Sequence, residues 1–120
     1  MSLPAGFTSA VEAALPADAI LADEADLRAY ECDGLTGRRV VPALVVLAET
    51  TEHVQAVVRA CNAHAVPFVA RGAGTGLSGG ALPVAEGVVI SLARMNRVLE
   101  VDVDSQRIVV HTCWLEGSGA

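Results

Sequence analysis

Between Arg71 and Pro83 the chain reads Arg-Gly-Ala-Gly-Thr-Gly-Leu-Ser-Gly-Gly-Ala-Leu-Pro. Five of its eleven glycines, Gly72, Gly74, Gly76, Gly79 and Gly80, fall within nine positions. Glycine costs about 1 kcal/mol in a helix interior and weakens a strand, so neither element propagates through this stretch. The segment must be a loop, and the fold has to be built around it. Main-chain N–H groups that no Cβ shields can line up as an anion-binding nest. Thr75 and Ser78 add hydroxyls, and Arg71 adds a permanent positive charge. A phosphate suits this chemistry. A glycine-rich turn that binds nothing is the plain alternative.

Two familiar phosphate loops fit poorly. A nucleoside-triphosphate loop ends in Gly-Lys-Ser/Thr, with the lysine reaching the outer phosphates. This chain contains no lysine. Gly74-Thr75-Gly76-Leu77-Ser78-Gly79 matches the letters of a dinucleotide fingerprint, and 66–70 resembles the strand that precedes one. Gly80, Pro83 and Gly87 then stand where the fingerprint's helix should run.

The flanks predict an α/β fold. Residues 43–47 form a continuous apolar, valine-rich run, as in a strand buried on both faces. Thr50 or Thr51 caps a helix to 65, with Glu52 in its first turn. Val54, Val57, Val58, Cys61 and Ala65 make one apolar stripe on it, which places Cys61 in the core. A second strand, 68–70, leads into the glycine loop. Strand, helix and strand form a βαβ unit, expected to be parallel and right-handed. A third strand covers 87–93. Half-buried alternation over 98–103, a turn at Asp104-Ser105 and a return over 107–111 predict a β-hairpin. Upstream, Ser9 and Glu12 fit a capping box for a helix over 10–15, and 23–30 is expected to be partly helical.

At 120 residues the chain suits one small domain, and its 52% hydrophobic composition supports a core. The net charge is −6, and the eight basic residues, all arginine, form no cluster, which argues against nucleic acid. The longest apolar run, 40–48, contains Pro42 and is far short of the roughly 20 residues of a membrane span. No signal peptide is apparent in 1–15. Cys32, Cys61 and Cys113 are odd in number and widely spaced, which suggests reduced thiols in a cytoplasmic protein. His53, His64 and His111 show no metal-ligand spacing.

Arg71 to Pro83 resembles the pyrophosphate loop of PCMH-type FAD domains. Tyr30-Glu-Cys-Asp-Gly-Leu35 upstream, Pro42, Val45-Val-Leu47 and Thr50-Thr-Glu-His-Val54 resemble the FAD-linked subunit of bacterial glycolate oxidase and the related D-lactate dehydrogenases. The resemblance runs from about residue 27 to 110. It implies that Gly72, Ala73, Gly74, Thr75, Gly76, Leu77, Ser78 and Gly79 bind the FAD pyrophosphate. It also implies oxidation of a small 2-hydroxy acid and an iron–sulfur partner subunit. Covalently flavinylated relatives carry a histidine near the position of Thr75, so noncovalent FAD is expected. Tyr30 and Asp33 are assigned to docking of the N-terminal arm, with cofactor contact as the alternative, and Arg71 to holding the loop or touching phosphate. No catalytic residue is assigned. The organisation expected is a helical arm over 1–37, the first part of the FAD domain over 38–110, and an unmatched tail over 111–120. Loss of the family pattern after Val110 suggests a truncated or frame-disrupted form of a longer protein. The rival expectation is a non-catalytic remnant that does not bind FAD alone.

Overall fold

The structure, a computed structural model, describes residues 3–114. Helix α1 (Ala5–Ala14) starts directly after Pro4, whose carbonyl accepts hydrogen bonds from Phe7 and Thr8 at 3.0 and 3.4 Å. The capping box expected at Ser9 and Glu12 does not form. Ser9 lies inside the helix, where its hydroxyl donates to the Ala5 carbonyl at 3.3 Å. The earlier start puts Phe7 and Val11, one turn apart, on a single buried face. A 3-10 turn (Ala17–Ala19), the two-residue strand β1 (Ile20–Leu21) and helix α2 (Glu24–Arg28) follow.

Strands β2 (Leu44–Leu47), β3 (Phe68–Arg71) and β4 (Val88–Ser91) form the main sheet with β1, in the order β1-β2-β4-β3. β1 is antiparallel to β2, and the other pairings are parallel. Helix α3 (Thr51–His64) connects β2 to β3. These two strands flank α3 as the βαβ pattern requires, but they do not pair with each other, because β4 lies between them. Burial explains the order. All four β4 residues are buried, so the strand must be covered on both sides and both faces. β3 alternates between exposed and half-buried positions, as suits an edge.

The pleat divides the core in two. Leu44, Val46, Val88 and Ile90 face one side, with Phe7, Val11, Val57, Ala60 and Cys61 of α1 and α3. Val45 and Val89 face the other, with Leu27, Tyr30 and Val69. α3 begins at Thr50, whose hydroxyl accepts the His53 N–H at 3.1 Å. It ends at Ala65, which takes a left-handed conformation (φ 53°) and donates to the Cys61 carbonyl. Ala65 is therefore an exposed cap rather than the last residue of the apolar stripe.

Strands β5 (Val98–Asp102) and β6 (Arg107–Val110) form the expected hairpin as a separate two-stranded sheet. The half-buried pattern expected there is not found. Leu99, Val101 and Val103 are 54%, 62% and 79% exposed. Alternation predicted one covered face, and no described element packs over it. Leu115 to Ala120, in the tail expected to be unmatched, lie outside the described residues. Among the described residues, no helix is long and apolar enough to cross a membrane.

Candidate functional site

Leu47, Ser91 and Arg71 end three parallel strands side by side. Ligands of open parallel sheets bind in the crevice beyond such carboxyl ends. The glycine loop leaves from this edge, immediately after Arg71. Its return is fixed where Gly87 donates to the Val84 carbonyl and Val88 to the Pro67 carbonyl, each at 2.9 Å.

Between these anchors two glycines take conformations that side chains disfavour. Gly74 and Gly79 have φ of +73° and +76°, in the left-handed region. No main-chain N–H from Gly74 to Gly79 donates to another backbone carbonyl among the described residues. Thr75, Gly76, Leu77 and Ser78 are exposed, Leu77 by 75%. In this exposed stretch the main-chain donors are thus left without backbone acceptors among the described residues.

Arg71 is turned back against the protein. Its Nη1 donates to the Cys32 carbonyl, and its guanidinium lies 5.3 Å from the centre of the Tyr30 ring. A Cβ on Gly74 would overlap that guanidinium. Arg71 therefore holds the loop to the segment carrying Tyr30 and Cys32, through a carbonyl hydrogen bond and a cation–π contact made by one guanidinium.

That segment is itself pinned. Val40 donates to the Glu31 carbonyl at 2.7 Å, and Arg39 pairs with the Glu31 carboxylate at 3.0 Å. Within it the Asp33 carboxylate accepts the Leu35 N–H at 2.8 Å, forming an Asx turn. The turn seats Gly34 against the loop, where a Cβ would stand 2.7 Å from both the Thr75 and the Gly76 carbonyl oxygens. Leu35 approaches Gly79. Sequence reasoning placed Tyr30 and Asp33 in docking of the arm, with cofactor contact as the alternative. The structure brings their segment against the glycine loop, and Gly34 is the contact that reasoning missed. Its only sequence signal was a glycine next to an aspartate, which is also the signature of an ordinary turn.

Sheet, loop and pinned segment together define an FAD-binding domain. Residues 42–112 match the FAD binding domain family, and the chain belongs to it, with the α/β fold of the N-terminal part of a PCMH-type domain. Over 93 residues, 78% of this chain, it is 44% identical to the glycolate oxidase subunit GlcD of Escherichia coli K12. It is 45% identical over 64 residues to a D-lactate dehydrogenase of Anaerostipes hadrus, 53% of this chain and 14% of that protein. Among solved structures, 4-ethylphenol oxidase from Gulosibacter chungangensis superposes with a TM-score of 0.70 at 29% identity, covering 84% of this chain and 22% of the other. The chain spans 19% of the length of the glycolate oxidase subunit it matches.

Proposed function

We propose that residues 72–79 hold the pyrophosphate of a noncovalently bound FAD, as part of an oxidoreductase acting on a small 2-hydroxy acid such as glycolate or D-lactate. The observation that carries this reading is the run of main-chain N–H groups from Gly74 to Gly79 that no backbone carbonyl takes up among the described residues. Donors fixed in one place by Arg71 and Gly34 suit an anion, because little ordering is left for the ligand to impose. Gly72, Ala73, Gly74, Gly76 and Leu77 offer backbone N–H groups, and Thr75 and Ser78 offer hydroxyls. Arg71 acts chiefly by holding the loop. FAD, when bound, supplies a ring that accepts a hydride. The described side chains of this segment bind and orient the cofactor, and none is assigned a proton or hydride step.

The substrate class rests on the relatives that bear the names glycolate oxidase subunit and D-lactate dehydrogenase. An iron–sulfur subunit as electron acceptor belongs to the same proposal. Noncovalent attachment is supported by Thr75 and by the lack of any histidine between His64 and His111. A cytoplasmic setting agrees with the lack of a disulfide among the described cysteines.

Titration of the 120-residue chain with FAD, followed by flavin fluorescence and equilibrium dialysis, tests the reading. Saturable binding that disappears in the Gly74→Val/Gly76→Val double variant is the expected result. A chain shown to be folded by circular dichroism that binds no FAD would overturn it.

A further inference from the structure

Asp33 is 4% exposed, yet only one of its carboxylate oxygens has a partner. Oδ1 accepts the Leu35 N–H, while Oδ2 is buried with no hydrogen bond. A buried polar atom left unpaired costs free energy, more so when it belongs to a charged group. The neighbours of Asp33 in sequence pack against the glycine loop. Gly34 abuts the carbonyls of Thr75 and Gly76, and Leu35 approaches Gly79. The orphaned oxygen therefore belongs to the turn that forms the wall of the glycine loop.

We propose that Asp33 is a second element of the cofactor site, whose Oδ2 accepts a hydrogen bond from a hydroxyl of the FAD held by the loop. The inference rests on the FAD reading above and deepens it. A carboxylate beside a pyrophosphate cannot serve the phosphates, because like charges repel. It suits the sugar-alcohol part of the same ligand, whose hydroxyls are donors. The division of labour is then electrostatic. Main-chain N–H groups face the anion, and Asp33 faces the neutral polyol beside it. Asp33 would also discriminate against bare phosphate ligands.

The test is Asp33→Asn in the full 120-residue chain, with FAD affinity by equilibrium dialysis and thermal unfolding without ligand. Asparagine keeps the oxygen that the Asx turn needs and removes the second acceptor. The expected result is an unchanged or raised Tm with FAD binding weakened about tenfold or more, the usual size of a lost hydrogen bond to a charged group. A lowered Tm would make Asp33 a structural residue and overturn the inference, as would FAD binding weakened less than about threefold. Asp33→Ser, which keeps a short acceptor for the turn, must behave in the same way. Failure of the unaltered chain to bind FAD would instead overturn the reading on which the inference rests, so wild type and variant separate the two.

Discussion

The guanidinium of Arg71 occupies the space that a side chain on Gly74 would need. Two residues three positions apart thus exclude each other's alternatives. Arg71 can fold back to the Cys32 carbonyl and the Tyr30 ring only because position 74 has no Cβ, and Gly74 keeps its left-handed conformation beneath the folded arginine.

Gly74→Ala should therefore fail twice, through left-handed strain of about 1–2 kcal/mol and through displacement of Arg71. FAD affinity is expected to fall at least about tenfold. Arg71→Lys should weaken binding as well, because an ammonium on a flexible stem does not reproduce the guanidinium's simultaneous contacts to the Cys32 carbonyl and the Tyr30 ring. Equilibrium dialysis of both variants checks this, and wild-type affinity in Arg71→Lys would show that charge alone suffices.

Gly34→Ala and Gly76→Ala should behave in opposite ways. A Cβ at Gly34 meets two backbone carbonyl oxygens at 2.7 Å, and backbone cannot swing aside as a side-chain tip does. A loss of about 1–3 kcal/mol in unfolding free energy is expected. A Cβ at Gly76 meets nothing within 4 Å, so thermal unfolding should be nearly unchanged. Any fall in FAD affinity of Gly76→Ala then reports crowding of the ligand, not damage to the fold.

Thr50→Ala removes the hydroxyl that accepts the His53 N–H at the start of α3. The expected cost is about 1 kcal/mol, measured by denaturant unfolding. A variant as stable as the wild type would show that the first turn of α3 finds another acceptor.

Burial pushes the Cys61 thiol up to about 11 from an ordinary value of 9.0. The unfolded chain ionises this thiol near the ordinary value, while the folded chain keeps it protonated to about 11. Its contribution to stability is full below pH 9 and is lost as the pH rises to about 11, by an amount on the order of 2 kcal/mol. Cys61→Ala should flatten that alkaline limb of the stability profile while lowering stability at neutral pH, because it leaves a small cavity. An alkaline limb of equal steepness in Cys61→Ala would assign the loss to another group.

Much of this molecule was legible in local pattern. Most of the valine run at 43–47, the threonine cap and the apolar stripe from Val54 to Cys61 belong to β2 and α3, because each depends on neighbours one turn or two residues away, while Ala65, expected to end the stripe, is the cap. The glycine loop was legible for the same reason, since no helix or strand tolerates that run. The hairpin's pairing was legible too, but not its exposure. Alternation at Leu99, Val101 and Val103 states that one face is apolar and says nothing of whether an element covers it.

By itself the sequence determined the main strands, α3, the hairpin, the place of the loop and the family, all of which rest on short-range chemistry and residue order. Only the tertiary structure decided that β4 enters between β2 and β3, because strand order depends on which strand can be buried on every side. Only the tertiary structure brought Arg71 to Cys32 across 39 positions of chain, set Gly34 against the Thr75 and Gly76 carbonyls, and left one oxygen of Asp33 buried without a partner. Such contacts are made by packing between segments distant in sequence, and no local periodicity encodes them.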